Sequence, residues 1–93
     1  MNIFIVEVEE RLEKFKFEIV AFGGAYTSIE DARMSIAQSA IDYISRHEDE
    51  HPNLRFALEP RRGFIFDKDI DEMLFVFTIH EGKSSLKNRR ITW

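Results

Sequence analysis

The sequence predicts an α+β fold: a two-layer sandwich of order ββαβββ, with one long helix on one face of a mainly antiparallel sheet of four to five strands. Short segments in which apolar residues alternate with polar ones, or follow one another directly, occur before residue 23 and after residue 53. Both patterns are typical of strands. Between them, residues 29–47 carry apolar side chains at helical spacing. None of the nine phenylalanines lies between residues 23 and 52, so we expect strands to supply the aromatic core.

The first two strands are predicted to form a hairpin. Residues 2–9 begin as a continuous apolar run and then alternate, which indicates a central strand covered on both faces at one end. In the first half of residues 13–22, apolar residues alternate with charged ones. The apolar members that should share a face are Phe15, Phe17, Ile19 and Ala21. Glu10-Arg11-Leu12 is the expected link, and Gly23-Gly24 should break the second strand through a bulge or a left-handed turn.

One long helix is predicted from Ile29 to about His47. Thr27 and Glu30 have the spacing of a capping box, and acids in the first turn complement the helix dipole. The apolar stripe is wide, and its alanines allow the helix backbone to approach a sheet closely. The stripe contains Ile29, Ala32, Ile36, Ala40 and Tyr43.

Three strands are expected after the helix. Residues 54–59 alternate and stop at Pro60, residues 64–66 follow a turn, and residues 73–79 form the most hydrophobic strand, which should be internal. One helix cannot cover every apolar side chain of such a sheet, so we expect a homodimer or a partner on the sheet face. The side chains that suggest this are Val20, Phe22, Leu74 and Val76.

Length and composition narrow the possible functions. A chain of 93 residues forms one small domain, and 44% hydrophobic with 32% charged residues is ordinary for a globular protein. The absence of cysteine excludes disulfides and thiolate metal sites. No signal-like segment and no apolar run long enough to span a membrane occurs. We therefore expect a cytoplasmic protein that does not enter a membrane.

The charge is distributed unevenly along the chain. The last twelve residues carry four of the 13 cations and no acid, whereas residues 1–81 carry the other nine cations and all 17 acids, a net charge of −8. We therefore divide the chain into an α+β domain, residues 1–82, and a basic C-terminal tail, residues 83–93. An acidic body disfavours coating of nucleic acid and favours a partner protein with a basic surface.

Residues 47–51, HEDEH, contain the pattern with which a continuous helix brings two imidazoles to one zinc ion. Pro52 disfavours helical backbone at His51, and three acids at a helix C-terminus would oppose the helix dipole. We predict that the helix ends near His47 and exposes an acidic loop. The acids of this loop are Glu48, Asp49 and Glu50. A surface metal site at His47 and His51 is the alternative.

Other motifs give no catalytic assignment. Asp67-x-Asp69-x-Asp71 resembles the start of a calcium loop, but Glu72 stands where that loop needs glycine and Thr78 where it needs glutamate. We expect a polar hairpin turn there. No nucleophile elbow or phosphate-binding glycine loop occurs. We therefore expect no enzyme and no cofactor.

The segment GAYTSIEDA, residues 24–32, resembles the strand-to-helix joint of many small uncharacterised bacterial and phage proteins. This resemblance implies a shared architecture and no particular activity. The small, cysteine-free, acidic composition is also similar to that of many phage-encoded inhibitors and toxin-immunity proteins.

The leading hypothesis is a non-enzymatic protein-binding module, an inhibitor of the anti-defence or immunity type from a phage or mobile element, that occludes a basic site on a larger partner. Its partner-binding residues are Asp42, Glu48, Asp49 and Glu50. The alternative is a nucleic-acid-binding accessory protein whose cations bind phosphate and whose tryptophan stacks on a base. Its residues are Arg61, Arg62, Lys87, Arg89, Arg90 and Trp93. Otherwise the tail solubilises the chain or pairs with its acidic body. A second alternative is a small metal-binding protein that uses His47 and His51.

Overall fold

The computed structural model describes residues 2–13 and 16–83. The predicted α+β class is confirmed, because these residues form a five-stranded antiparallel sheet and one helix. In chain order the elements are β1 (Asn2–Glu13), β2 (Lys16–Tyr26), α1 (Ile29–Arg46), β3 (Leu54–Leu58), β4 (Arg62–Asp67) and β5 (Glu72–Lys83). The part of the predicted tail that follows β5 lies outside the described residues.

The strands are ordered β2-β1-β5-β4-β3 across the sheet, and every neighbouring pair is antiparallel. β1 and β5 are internal, as predicted. β2 and β3 form the two edges. β2 is the longer edge, with 11 residues against five in β3.

The core lies between α1 and one face of the sheet, which we call the helix face. Ala32, Ile36 and Ala40 of α1 are fully buried against it. Their strand partners in the core are Val6, Leu54, Ile65, Phe77 and Ile79. Gly63 lets the helix approach closely, because a Cβ at this position would lie 2.5 Å from Cγ2 of Ile36.

The ends of α1 follow from local hydrogen bonding. The capping residue is Ser28, whose Oγ accepts from the backbone N–H of Asp31 at 3.1 Å. The prediction that Thr27 is the cap was therefore wrong by one residue. At the other end the helix stops at Arg46 with His47 as its C-cap, as predicted. Within the described ranges, no helix is both long enough and apolar enough to cross a bilayer.

The β1–β2 hairpin is longer than predicted. β1 continues through the expected link, Glu10-Arg11-Leu12, and β2 continues through Gly23-Gly24 to Tyr26. Bulges explain this continuation, since the cross-strand pairing skips Leu12, Val20 and Gly23. The bulge at Val20 also resets the alternation. Ile19 pairs with Glu9 whereas Ala21 pairs with Val8, so the prediction that they share a face was wrong.

Candidate protein-binding surface

The sheet face opposite α1, here called the open face, is identified by cross-strand pairing. On β1 the core residue Val6 is followed by Glu7, and the two side chains point to opposite faces because strand residues alternate. Glu7 pairs with Phe22 of β2 and Thr78 of β5. Paired side chains project to the same side. In the next open-face row, Glu9 pairs with Ile19 and Val76. The open face therefore has acids near its centre and apolar β2 side chains at its edge.

Four apolar side chains of the hairpin are about half exposed, and we call them the hairpin patch. The exposed fraction is 50% for Leu12, 51% for Ile19, 48% for Val20 and 54% for Phe22. By contrast, the core residue Val6 is 2% exposed. Two members, Leu12 and Val20, are bulged residues that have no opposite partner in the sheet. Three of these exposed side chains fall within four residues of β2, a concentration that is typical of an interaction surface.

The hairpin patch is exposed because α1 covers only the end of β2. The phenol of Tyr26, the last residue of β2, donates to Ser35 Oγ at 2.7 Å, which ties this end of the strand to the helix. Every residue from Glu18 to Ala25 is exposed. The helix starts three residues after Tyr26 and packs against the core side chains of the other strands, so it leaves the rest of this edge uncovered.

Acids lie beside the hairpin on both faces of the sheet, Glu9 on the open face and Glu10 and Glu18 on the helix face. Glu9 lies opposite Ile19, and Glu10 lies directly opposite Glu18 on the neighbouring strand. Like charges in this position destabilise a sheet by about 0.2–1 kcal/mol. Within the described ranges, no cation forms an ion pair with any of these three acids. A cation from outside the domain would therefore relieve the repulsion between Glu10 and Glu18.

The acidic loop predicted after the helix is present, and we call Glu48, Asp49 and Glu50 the acidic corner. All three side chains are exposed. Folding brings β1 to the same place, because the pKa of Tyr43 is raised first by burial and then by the negative charges of Glu10 and Glu50. Glu10 of the hairpin and Glu50 of the acidic corner therefore both act on Tyr43, a proximity that sequence order does not reveal.

Asp42, the fourth predicted partner-binding residue, is exposed on α1 and accepts a hydrogen bond from Gln38 Nε2 at 3.0 Å. An open depression of about 330 Å³, which Asp42 does not line, lies between the end of α1 and β3. Its walls combine Ile41 and Ile44 with Glu48 of the acidic corner. The depression therefore adds an apolar floor to the acidic corner.

The two histidines of HEDEH face different neighbours. The His47 ring stacks on Tyr43 with 4.1 Å between centroids, and its Nδ1 lies 2.9 Å from the Tyr43 carbonyl oxygen. His51 Nδ1 lies 3.5 Å from Oδ2 of Asp67, which is buried. The described part of the chain contains no group of three or more histidines and acids placed to hold a metal ion. The geometry gives no support to the metal-binding alternative.

The loop with alternate aspartates forms a hairpin turn between β4 and β5, as expected. Asp67 Oδ1 accepts from the backbone N–H of Asp69 at 2.9 Å, and Asp69 Oδ1 accepts from Asn53 Nδ2 at 2.7 Å. Asp71 has the left-handed φ of 52° that closes such turns. These carboxylates therefore stabilise the turn and the adjacent loop.

The two arginines proposed for nucleic-acid binding contact opposite faces of the sheet. Arg61 forms an ion pair with Glu81 at 3.0 Å, and Glu81 shares the row of Phe4 on the helix face. Arg62 pairs with Thr78 on the open face, and its guanidinium lies 5.4 Å from the ring centroid of Phe64. They do not form one basic strip. The remaining residues of that alternative, Lys87, Arg89, Arg90 and Trp93, lie outside the described residues.

Comparisons of the chain with models of known protein families, with curated proteins and with solved structures found no match. The surface itself is the basis for a functional assignment.

The exposed apolar residues were predicted in part. Val20 and Phe22 are about half exposed, as expected, but Val76 is buried and Leu74 packs against the core. Val76 is central on β5 and lies between Glu9 and Phe64 in its row, so its neighbours cover it without a partner. Among the described strand residues, half-exposed apolar side chains are therefore concentrated on the hairpin rather than spread across the whole sheet face.

Proposed function

We propose that the protein is a non-enzymatic protein-binding module whose partner presents a surface that is both basic and apolar. The observation that carries the proposal is the hairpin patch, four half-exposed apolar side chains, with Glu9 opposite Ile19 on the open face. An apolar centre with a polar rim is the usual composition of a protein–protein interface. Occlusion of a basic site on a larger partner is the mode of action that such a surface fits.

The negative charge of the described domain favours a partner with a basic surface. Residues 1–81 have a net charge of −8, and the three acids of the acidic corner are exposed at the end of α1. Such a field accelerates association with a cationic surface and disfavours anionic partners. Contact with a cation would also remove the repulsion between Glu10 and Glu18, a gain that no neutral partner offers.

Capture experiments with matched variants test the proposal. The immobilised full chain is incubated with lysate of the organism that encodes it, and retained proteins are identified by mass spectrometry. The double substitution Ile19→Ser/Val20→Ser removes the centre of the hairpin patch, and Glu48→Lys/Glu50→Lys reverses the acidic corner. The controls are Met34→Ser, an exposed apolar residue on α1, and Glu59→Lys, an exposed acid after β3.

We expect the wild type and both controls to retain the same basic protein. The hairpin variant should lose about tenfold or more in affinity, because central apolar side chains of an interface contribute more than about 1.4 kcal/mol in total. The acidic-corner variant should associate more slowly, most clearly at low salt. Equal capture by the hairpin variant would refute the proposal, and retention of nucleic acid alone would support the alternative function.

A further inference from the structure

We infer that the outer edge of β2, at residues 16–19, binds an extended segment of the partner protein as an added strand of the sheet. The segment carries a cation opposite Glu18 and apolar side chains opposite Phe17 and Ile19. This inference rests on the proposed function and deepens it, because it specifies which kind of segment of the partner is bound and in what conformation.

The edge of β2 has the backbone geometry that strand addition needs. Within the described residues, β2 has a neighbouring strand on one side alone, which is β1. Residues 16–19 are consecutive members of that pairing, and the bulge at Val20 comes after them. In the described part of the chain, none of the loop and turn hydrogen bonds of the backbone reaches residues 16–19. Alternate residues of this run direct their N–H and C=O groups away from β1, and such groups are a template for a further strand.

The opposite edge of the sheet is a poorer template. β3 has five residues, and Pro60 follows shortly after its end. Its second residue is the exposed Arg55, a cation that would repel a basic segment. A short strand with a charged side chain and a nearby proline is protected against edge pairing. β2 contains no proline and is more than twice as long, so the segment is assigned to this edge.

The row of Glu18 on the helix face favours a cation in the segment. Glu18 lies directly opposite Glu10, and both side chains are exposed. The described residues offer neither of them an ion pair. A strand added outside β2 places its backbone about 4.8 Å away, with one side chain beside Glu18 in the same row. Lysine or arginine there offsets the repulsion between the two acids, whereas an acid adds to it.

The rows on the open face favour apolar side chains in the segment. Phe17 and Ile19 flank Glu18 in the strand and therefore point to the opposite face. Ile19 is 51% exposed, and Phe17 is partly exposed. Apolar residues on either side of the cation of the segment would cover both, since neighbours in a strand also alternate. The expected pattern of the bound segment is therefore apolar, cation, apolar.

Two peptides of equal composition and charge test this pattern. They are Ser-Val-Arg-Val-Ser and Val-Ser-Arg-Ser-Val, with acetylated and amidated ends, and the second moves valine to the face of the arginine. NMR titration of the full chain gives the dissociation constants. The first peptide should bind about threefold more tightly or better, because the second loses the cross-strand pairs with Phe17 and Ile19. The largest shifts should occur at residues 16–19, and equal affinities would overturn the inference.

Methylation of the peptide backbone separates strand addition from charge attraction alone. In the first peptide, methyl groups on the two valine nitrogens block one alternate set of N–H groups. Methyl groups on the serine and arginine nitrogens block the other set. Only one set faces β2 in an added strand, so one methylated peptide should lose binding and the other should retain it. Equal effects of the two methylations would contradict strand addition.

Reversal of the charge at Glu18 locates the contact. Glu18→Lys should weaken binding of the arginine peptide about threefold or more and strengthen binding of Ser-Val-Glu-Val-Ser, whereas Glu59→Lys should change neither. Glu18 is exposed and its repulsion with Glu10 is removed, so the variant should remain folded, which circular dichroism checks. Sedimentation equilibrium gives the competing outcome: self-association of the wild type that Glu18→Lys abolishes would assign this edge to a second copy and overturn the inference.

Failure of the inference and failure of the proposed function give different results. If partner capture from lysate depends on the hairpin patch but the two peptides bind equally, the proposed function stands and strand addition fails. If the peptides and Glu18→Lys behave as expected but Ile19→Ser/Val20→Ser captures the partner as well as the wild type does, the proposed function fails. The strand-binding edge then stands as a property of the domain itself.

Discussion

Replacement of Gly63 by alanine tests the contact that positions α1 against the sheet. The added Cβ would lie 2.5 Å from Cγ2 of Ile36 and 3.5 Å from Cε1 of Phe56. Carbon atoms pack best at about 3.5–4.0 Å, so the overlap with Ile36 is about 1 Å. Ile36 is fully buried, and its branched Cβ leaves one favoured rotamer in a helix. The clash can therefore be relieved only if the helix and β4 move apart.

The expected loss of stability is about 1–2 kcal/mol. Overpacking of a filled core costs about 1–3 kcal/mol, and the reduced freedom of the unfolded chain offsets about 0.4–1 kcal/mol of this. For a domain of this size, each kcal/mol lowers the melting temperature by about 4–8 °C. The Gly63→Ala variant should thus melt about 4–16 °C below the wild type.

Urea denaturation of four proteins gives a decisive comparison: the wild type, Gly63→Ala, Ile36→Ala and the double variant. Ile36→Ala alone should cost about 2–5 kcal/mol through the cavity it leaves. In that background the clash is absent, so Gly63→Ala should become neutral or stabilising, a coupling of at least about 1 kcal/mol. If the free energy of unfolding of Gly63→Ala alone lies within about 0.5 kcal/mol of the wild type, the close packing of Ile36 on Gly63 is refuted.

Three further predictions concern pH, capping and exposure. Burial and nearby carboxylates raise the pKa of Tyr43, so its contribution to stability is complete below the unfolded value of about 10 and is lost as the pH rises through the folded value. Glu50→Gln should move the tyrosinate absorbance transition of Tyr43, measured against Tyr43→Phe, to lower pH. Ser28→Ala should cost about 0.5–2 kcal/mol in urea denaturation by removing the helix cap. Val6→Ala should cost about 2 kcal/mol, whereas Val20→Ala should change stability by less than about 0.5 kcal/mol, because only the first side chain is fully buried; equal losses would contradict the exposed hairpin patch.

The spacing of apolar residues was sufficient to predict the structure where the chain forms regular elements with one buried side. The stripe of Ala32, Ile36 and Ala40 correctly predicted the buried face of α1, since a helix places such positions on one side. Pro52 and the helix dipole correctly predicted the end of the helix near His47 and the exposed acidic corner. The apolar content of residues 73–79 correctly predicted an internal strand.

Local sequence did not predict which side chains share a face where bulges interrupt the pairing of the strands. The alternation of residues 13–22 predicted one apolar face, but the bulge at Val20 places Ile19 and Ala21 on opposite sides. The glycines at positions 23 and 24 were expected to break β2. The expected bulge is present at Gly23, but the strand continues through it and through a positive φ at Gly24. A bulge depends on the register of the neighbouring strand, which the sequence of β2 does not contain.

The sequence alone therefore determined the fold class, the buried stripe of the helix and the exposure of Glu48, Asp49 and Glu50, because these depend on short-range periodicity and backbone preferences. Only the tertiary structure decided that Glu10 lies near Glu50 around Tyr43, and that Leu12, Ile19, Val20 and Phe22 form an exposed patch. The physical reason is that one helix of 18 residues packs against the core strands and leaves most of the β2 edge uncovered.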